Sequence, residues 1–235
     1  MRKIYMGYDP KEALGFHVCC QSIIKQATQP ISITPMALPL LEKYGVRRRP
    51  EDATDFSRTR FLAPWIETQG RHPAEWILWI DGSDMMARGD ITELWKYTHT
   101  QFDKAVLVVK HDYRTKVTTK FFNQGNRNYP RKNQSSVMML NTWRCREFLT
   151  PTWISRASGA ELHQFKWLPD ECLIGDLPVE WNHLVQEYPP NKNAKLVHWT
   201  LGAPFIDGYE QVEFADEWQA MLHDMVPQHK TKEVA

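Results

Sequence analysis

The sequence predicts an α/β fold in a single domain, with a mixed, mostly parallel sheet flanked by helices. Short, fully apolar segments alternate along the chain with segments in which apolar residues recur at helical spacing. Residues 1–35 contain a strand, a helix and a second strand, and this order implies a parallel pair joined by a crossover. The chain of 235 residues fits one domain of this class, and no Pro- or Gly-rich linker divides it.

Each element is predicted from its local pattern. The predicted strands are short apolar runs bounded by turn or acidic residues, and they cover 3–8, 31–35, 76–80, 105–109, 137–140 and 195–199. The predicted helices carry apolar residues on one face, and they cover 16–27, 57–68, 91–95, 142–149 and 214–226. Ser57, Asp90, and Asn141 or Thr142 are the predicted N-caps of three helices. Residues 110–135 are polar and basic and form the longest predicted irregular stretch.

The composition is that of an ordinary globular protein. Lys and Arg number 29 against 28 Asp and Glu, and the resulting net charge of +1 argues against a broad basic field for coating nucleic acid. The four cysteines show neither a zinc-binding spacing nor a disulfide framework. The chain starts without an apolar leader, and its longest dense apolar run, 76–80, is too short to cross a membrane. We therefore expect a cytoplasmic protein without a transmembrane segment.

Two carboxylates follow this most apolar run. It ends at Asp81, and Gly82 and Ser83 separate Asp81 from Asp84. In open α/β sheets, ligands bind at the carboxyl ends of the strands. Two neighbouring carboxylates suit Mg²⁺ or Mn²⁺, which prefer oxygen ligands and often share them with substrate phosphates. On these residues alone, a metal site and a turn cap beside a solvated carboxylate are equally good interpretations.

His198, at the end of the last predicted strand, is a further candidate. A histidine on an apolar strand is more often a core or surface residue than a ligand, but with two carboxylates it would complete an Mn²⁺ site. The sequence has neither the glycine-rich dinucleotide fingerprint nor the phosphate loop of P-loop kinases. Basic residues that suit a diphosphate occur before the 76–80 strand and around the long loop, namely Arg58, Arg60, Lys110, Lys116, Lys120, Arg131 and Lys132.

The order of these motifs resembles the GT-A glycosyltransferases, most closely the family 8-like group that uses nucleotide-diphosphate sugars. The resemblance covers nearly the whole chain and rests on the segments 4–9, 56–64, 79–91, 134–141, 168–171 and 197–205. In that order, these segments are similar to the family's nucleoside-binding strand, its Arg-Leu-Leu-Ile-Pro segment, its DxD strand, its Asn-Ser-Gly segment, its Asp-Gln pair and its late metal-binding His motif.

The resemblance implies a Rossmann-like GT-A domain with a nucleotide-binding half, 1–100, and an acceptor and sugar half, 101–235. It implies metal-dependent transfer of a sugar from a nucleotide-diphosphate sugar, with UDP favoured, to a hydroxyl acceptor, with retention at the anomeric carbon. The metal, Mn²⁺ or Mg²⁺, is expected on Asp81, Asp84 and His198. The expected donor contacts are Gly7, Tyr8, Asp9, Arg60, Lys120 and Gly202, and the candidate catalytic residues near the sugar are Gln134, Asp170 and Glu171.

Three departures from the family pattern shape these expectations, and one is that the Asn-Ser-Gly segment reads Gln134-Ser135-Ser136, so a sugar pocket of different shape is expected. Asp81 and Asp84 are spaced DxxD, whereas a DxD spacing puts both side chains on one face of a strand, so Gly82 is expected to turn the backbone. Ala203 stands where the family has a lysine for the diphosphate, so Lys120 or Lys132 is expected to supply that charge when the long loop closes as a lid.

The alternatives from the sequence are a non-catalytic nucleotide-sugar or glycan-binding module and a metal-dependent phosphohydrolase or sugar-nucleotide pyrophosphorylase. The absence of a Gly-rich phosphate loop near the first strand argues against the pyrophosphorylase. The acceptor is left open among a glycan, a lipid-linked sugar, a protein and a modified nucleic acid. The oligomeric state is left open as well.

Overall fold

A computed structural model describes residues 1–225 and shows strands alternating with helices. The strands are β1 (Arg2–Tyr8), β2 (Ile31–Ala37), β3 (Trp76–Ile80), β4 (Met85–Ala87), β5 (Val106–Val108), β6 (Thr119–Lys120), β7 (Gln124–Gly125), β8 (Val137–Asn141), β9 (Ile174–Asp176), β10 (His183–Leu184) and β11 (Leu196–His198). The helices are α1 (Ala13–Gln26), α2 (Leu38–Leu41), α3 (Phe56–Thr59), α4 (Ala63–Thr68), α5 (Lys96–Thr100), α6 (Thr142–Arg146), α7 (Pro151–Arg156), α8 (Gly159–His163) and α9 (Ala215–Met225).

The central sheet has the strand order β2-β1-β3-β8-β5-β9. β1 pairs in parallel with β2 and β3, β5 pairs in parallel with β9, and β8 runs antiparallel to β3 and β5. The prediction of a mixed, mostly parallel sheet flanked by helices is therefore confirmed. This pairing brings the carboxyl ends of β1, β3, β5 and β9 and the amino end of β8 to one edge of the sheet, where Ile80 lies opposite Val137.

A second sheet, with the order β10-β11-β4, begins where β3 ends. The chain leaves the central sheet after Ile80, turns at Gly82, whose φ is +85°, and enters the second sheet at Met85. A side chain at position 82 would be strained at this φ. The antiparallel pairing of β4 with β11 sets Met85 opposite His198. The junction of the two sheets, formed by the turn 81–84 and the end of β11 at His198 and called the corner below, therefore brings Asp84 next to His198.

Apolar clusters cover both faces of the central sheet. Ile77 and Trp79 of β3 belong to one cluster, and Leu78 and Ile80 belong to the other, as the alternation of side chains along a strand requires. The segment around α3 and α4 packs on the first face, and α1 packs on the second. Burial on both faces explains why β3 reads as a continuous apolar run instead of an alternating one.

The prediction that Ser57 caps the helix 57–68 is wrong. The helical segment begins at Phe56, and Ser57 lies inside it, where its hydroxyl accepts a hydrogen bond from the Thr54 amide at 3.1 Å. The segment continues through a 3₁₀ turn, Arg60–Leu62, into α4. Its extent agrees with the prediction, and only the residue that begins it differs.

Other boundaries follow the sequence more closely. The predicted caps Asp90 and Asn141 are confirmed, because each side chain accepts a hydrogen bond from a first-turn amide. The last helix begins at Ala215, and residue 226, its predicted end, lies outside the described residues. The stretch 110–135 contains the short β6–β7 hairpin, which its composition does not predict. No helix within residues 1–225 is long and apolar enough to span a membrane.

Candidate active site

Arg60 and Asp81 form a buried ion pair at the carboxyl end of β3. Arg60 Nη1 lies 2.6 Å from Asp81 Oδ1, and the Trp79 indole donates to the same oxygen at 3.0 Å. Arg60 also donates to the Ser135 carbonyl at 3.0 Å, and the Asp81 amide donates to the Ser136 carbonyl at 3.0 Å. One Asp81 oxygen is therefore taken up by protein donors, and the residue is tied to the amino end of β8.

Asp84 faces His198 across the corner between the two sheets. Asp84 Oδ2 and His198 Nε2 are 3.3 Å apart, His198 is buried and Asp84 is nearly so. The other carboxylate oxygen, Asp84 Oδ1, is shielded from solvent and has no hydrogen-bond partner in the described part of the chain. Because an unpaired buried carboxylate oxygen is costly, Asp84 is suited to receive a cation or a hydrogen-bond donor.

Burial and neighbouring charges shift the pKa values of Asp81 and Asp84 in opposite directions. Burial raises the pKa of Asp81 above its ordinary value, although the Arg60 guanidinium opposes the shift. Burial also acts against ionisation of Asp84, but His198 and Lys120 together hold the pKa of Asp84 below its ordinary value. Asp84 is therefore the more readily ionised of the two and the better cation ligand.

Glu12 is a third carboxyl group at this corner. It ends the 3₁₀ turn that follows β1, and its Oε2 accepts a hydrogen bond from the Ser83 hydroxyl at 2.5 Å. Burial, reinforced by the repulsion of Asp84, raises the pKa of Glu12 to about 7. Sequence reasoning missed Glu12, because one glutamate in a turn has no distinctive local pattern.

Gly7 and Tyr8 lie at the carboxyl end of β1. A Cβ on Gly7 would be 2.5 Å from the Phe56 ring and 2.7 Å from the Asp81 carbonyl oxygen, so only glycine fits this close approach. The Tyr8 ring packs edge-on against Phe16 of α1, with ring centroids 5.2 Å apart. Gly7 therefore lets β1 and α3 pack directly beside the Asp81 backbone.

Asp9 is buried in the turn after β1. Its carboxylate accepts one hydrogen bond from the Lys11 amide at 3.0 Å and another from the Asp55 amide at 3.1 Å. Both oxygens are thus engaged by backbone donors, and Asp9 ties the first turn to the segment before α3. Contact of Asp9 with a nucleoside stays a prediction.

Two lysines of the long loop lie at the site. Lys120 is close enough to Asp84 and Glu12 to act on both: it helps to lower the pKa of Asp84 and opposes the rise in the pKa of Glu12. Lys132 donates to Asn126 Oδ1 at 2.7 Å. Burial, together with the repulsion of Lys120, lowers the pKa of Lys132 to about 8. An anion bound between these lysines would relieve their repulsion.

The β6–β7 hairpin bridges two segments that border the site. The Phe121 amide donates to the Leu201 carbonyl at 2.9 Å, just beyond β11. On the other side, Gln124 Nε2 donates to the Ala53 carbonyl at 3.3 Å. The hairpin therefore connects the segment after His198 with the segment before α3, and it carries Lys120 between them.

The other predicted residues on this side are Gln134 and Gly202. Gln134 is buried in the 3₁₀ turn Gln134–Ser136, at the end of β8 to which Asp81 is bonded. Gly202 lies in the turn after β11, where its amide donates to the Trp199 carbonyl at 3.1 Å. The structure places both of them near the corner.

Asp170 and Glu171 are exposed and precede β9. Because β9 runs parallel to β5, its amino end lies at the edge opposite Asp84 and His198. Asp170 caps a 3₁₀ turn, and Glu171 pairs with Arg131 at 2.5 Å. The structure does not bring either residue together with the corner, and their role near a sugar stays a prediction.

Asn182 and His111 are neighbours of His198 that the sequence does not reveal. His198 Nδ1 lies 2.8 Å from Asn182 Oδ1. Burial, with a contribution from His198, lowers the pKa of His111 to about 3, so its ring is neutral. Within residues 1–225, His111 Nε2 is a buried nitrogen without a hydrogen-bond partner. Only the packing of β5, β10 and β11 brings these side chains together, so no local signal identifies them.

Asp84 and His198 fit as two ligands of a divalent cation whose remaining ligands come from another molecule. Within residues 1–225, no three His, Cys, Asp or Glu side chains form a metal-binding cluster by themselves. Asp84 offers a free oxygen and His198 a ring nitrogen, whereas Arg60 takes up one oxygen of Asp81. Mg²⁺ is commonly held by one or two carboxylates together with substrate phosphates. The corner therefore fits an ion that a phosphate-bearing ligand helps to coordinate.

Relatives of the chain place it in a family. No family model matches it. Protein CDI of Arabidopsis thaliana is 37% identical over 238 residues, which cover 97% of this chain and 88% of that protein. The chain belongs to the family of Protein CDI. The aligned region therefore covers most of both proteins.

Solved structures identify the fold of this CDI-family chain. The galactosyltransferase LgtC, solved with donor and acceptor sugar analogs, has a TM-score of 0.61 and 11% identity, covering 96% of this chain and 98% of its own. The bifunctional glycosyltransferase WbbM, in its apo form, has a TM-score of 0.62 and 14% identity. The match with WbbM covers 94% of this chain and 49% of WbbM, so the chain spans about half of WbbM. The CDI-family chain therefore has the GT-A fold of these glycosyltransferases.

Proposed function

We propose that the protein is a metal-dependent glycosyltransferase of the family 8-like group. It transfers a sugar from a nucleotide-diphosphate sugar, with UDP as the nucleotide, to a hydroxyl acceptor, with retention at the anomeric carbon. One observation carries the proposal: a buried Asp84 oxygen without a partner in the described residues lies beside His198 at the carboxyl edge of the sheet. The GT-A fold supports it by analogy, because a fold alone does not establish an activity.

Asp84 and His198 hold the divalent cation, Mn²⁺ or Mg²⁺, in the proposed enzyme. The lowered pKa of Asp84 keeps this carboxylate ionised at neutral pH. Asp81, held by Arg60, adds negative charge beside it. The cation would neutralise the negative charge that develops on the diphosphate leaving group.

Lys120 and Lys132 contribute positive charge to the diphosphate, in place of the lysine that the family has at the position of Ala203. The nucleoside lies against Gly7, Tyr8 and Asp9, at the end of β1.

Gln134 lies near the donor sugar. The acceptor oxygen bonds to the anomeric carbon as the bond from that carbon to the diphosphate breaks, and the departing diphosphate accepts the acceptor proton. This chemistry does not depend on Asp170 or Glu171.

A second candidate is a non-catalytic module that binds a nucleotide-sugar or a glycan. The Arg60–Asp81 ion pair favours it, because the pair occupies a carboxylate oxygen that a catalytic metal site would use. The two candidates differ in turnover, since only the enzyme cleaves the bond between the sugar and the diphosphate.

A screen of nucleotide-sugars with Mn²⁺ or with EDTA tests the proposal. Thermal shift identifies the donor, and release of free UDP measures turnover. Asp84→Asn should abolish turnover and still give a folded protein in EDTA, because Asp84 Oδ1 makes no hydrogen bond within the described residues and an amide at the position of Oδ2 can still contact His198 Nε2. The control is Asp176→Asn, which alters an exposed carboxylate at the end of β9.

The outcomes separate the candidates. Donor binding without UDP release would favour the binding module. Binding of no nucleotide-sugar under either condition would contradict both functions.

A further inference from the structure

Asn182 lies at the centre of a buried chain of hydrogen bonds. Its side chain is fully buried, and its Oδ1 is 2.8 Å from His198 Nδ1. Its Nδ2 donates to the Asn133 carbonyl oxygen at 3.1 Å. The Asn133 side chain in turn donates to the Tyr113 hydroxyl at 2.7 Å. The chain therefore runs from the 110–135 loop through Asn182 to His198.

The Asn133 carbonyl determines which way the Asn182 amide points. A carbonyl oxygen only accepts hydrogen bonds, so the amide nitrogen must face it. The reverse orientation would place two acceptor oxygens against each other in a buried position, which is costly. The Asn182 oxygen therefore faces His198.

This orientation selects the protonation of the His198 ring. Because Asn182 Oδ1 is an acceptor, His198 Nδ1 must carry a proton to complete the contact. In the neutral ring, Nε2 then has a lone pair, and this lone pair faces Asp84 Oδ2 at 3.3 Å. Two acceptors at that distance repel each other unless a metal cation lies within reach of both, or a second ring proton on Nε2 makes the imidazolium that lowers the pKa of Asp84.

The opposite tautomer would have a different effect. A proton on Nε2 would be donated to Asp84, and this hydrogen bond would use the groups that a cation needs. Histidines that bind metals usually donate their other ring N–H to a neighbouring acceptor, which fixes the tautomer and orients the ring.

We infer that Asn182 is a positioning residue that holds His198 in the Nδ1–H tautomer and so prepares Asp84 and His198 to bind a divalent cation. The role of that cation in sugar transfer rests on the proposed function, but the tautomer and the binding of the metal alone do not. Asn182 acts through His198 and contacts no reacting atom.

The tautomer is measured on the wild-type protein without metal. Nitrogen-15 NMR of labelled histidine, recorded at a pH where His198 is neutral, separates protonated from unprotonated ring nitrogens. Loss of the signal in His198→Gln assigns it. We expect a protonated Nδ1 and an unprotonated Nε2. A proton on Nε2 overturns the inference, and this measurement needs no Asn182 variant to fold.

Two Asn182 variants test the effect on metal affinity, with Mn²⁺ alone as the probe in calorimetry. Asn182→Leu removes the acceptor and should weaken Mn²⁺ binding by about 10–100-fold. Asn182→Asp keeps an oxygen facing Nδ1 and should bind Mn²⁺ at least as tightly as the wild type. Cooperative melting of both variants is the control for folding. Equal affinity of Asn182→Leu and the wild type, including no measurable binding by either, overturns the inference.

The same measurements keep this inference separate from the proposed function. Mn²⁺ binding with the expected tautomer but without UDP release would remove the proposed function and leave the positioning role intact. UDP release that is unchanged in Asn182→Leu would remove the positioning role and leave the proposed function intact.

Discussion

Arg60 and Asp81 are in contact at 2.6 Å, although Arg60 follows α3 and Asp81 follows β3. Both side chains are nearly inaccessible to solvent, so each charge depends on the other for compensation. The resemblance to the family predicts that Arg60 contacts the donor. The structure shows that it also neutralises Asp81 and bonds to the Ser135 carbonyl, so its guanidinium is already partly engaged.

We predict that Arg60→Ala lowers the free energy of unfolding by about 3–5 kcal/mol, because it leaves a buried carboxylate without its partner. Chemical denaturation measures the change. Arg58→Ala is the matched control, since Arg58 is equally buried and pairs with Asp52 at 2.7 Å. Both variants should lose stability, but only Arg60→Ala should also weaken donor binding at a temperature where both are folded. Wild-type stability in Arg60→Ala would contradict the assigned pair.

Binding of UDP should weaken as the pH rises through about 8, where Lys132 loses its proton. The folded protein holds this lysine neutral above that pH, and a neutral amine does not attract a diphosphate. Calorimetry with Mn²⁺ and UDP at pH 7 and pH 9 measures the change. Lys132→Met should bind UDP about tenfold or more weakly at pH 7, consistent with the roughly 1.5–3 kcal/mol of a charged hydrogen bond.

Lys120→Met is the control for that pH dependence. It should weaken UDP binding as well, because Lys120 lies beside Asp84, and the loss of affinity with rising pH should remain but move to higher pH, because the repulsion that helps to lower the pKa of Lys132 is removed. A Lys132→Met protein with the pH profile of the wild type would show that another group titrates.

Amide hydrogen exchange in residues 110–135 should slow when UDP and Mn²⁺ are added. The hairpin in this stretch is attached to its surroundings by few hydrogen bonds, such as the one from Phe121 to Leu201, and sparsely bonded segments open at low free-energy cost. The amides of β3 and β5, which are buried throughout, are the internal control and should not change. Identical exchange of 110–135 in both states would mean that the loop is a fixed part of the structure and not a lid.

Glu12 should make the wild-type protein less stable as the pH rises from 5 to 8. Its pKa of about 7 exceeds the ordinary value of 4.5, so in that window the folded state binds more protons than the unfolded chain, and stability falls with rising pH. The slope is at most about 1.4 kcal/mol per pH unit. In Glu12→Gln this contribution disappears, and denaturation at both pH values should show a smaller loss. Glu171→Gln, at an exposed position, is the control and should behave as the wild type does.

Much of the fold is predictable because β3 and β8 are buried on both faces and read as unbroken apolar runs. The strands that the sequence does not predict, such as β4 and the β6–β7 pair, are two or three residues long. A strand of that length does not span enough residues to show a period. Its pairing is decided by the partner strand and not by its own composition.

The candidate site, like the fold, has some features that the sequence predicts and others that depend on packing. Asp84 and His198 are candidates from the sequence, because Asp84 closely follows the apolar strand β3 and His198 ends the apolar strand β11. The Arg60–Asp81 pair depends on how α3 packs over β3, and the Asn182 contact depends on the register of β10 with β11. Neither relation appears in the spacing of residues along the chain. The expectation for Asp170 and Glu171 came from resemblance alone, and the structure places both at the other edge of the sheet.

The turn at Gly82 has a mechanical consequence. Asp81 directly follows a strand of the central sheet, and Asp84 immediately precedes a strand of the second sheet. The distance between the two carboxylates therefore changes when one sheet moves relative to the other. A ligand that draws Asp84 and His198 inward pulls on the backbone of both β4 and β11. A ligand bound at the corner would therefore restrict the movement of one sheet relative to the other. A change that loosens the packing of β4 would in turn weaken the binding of that ligand.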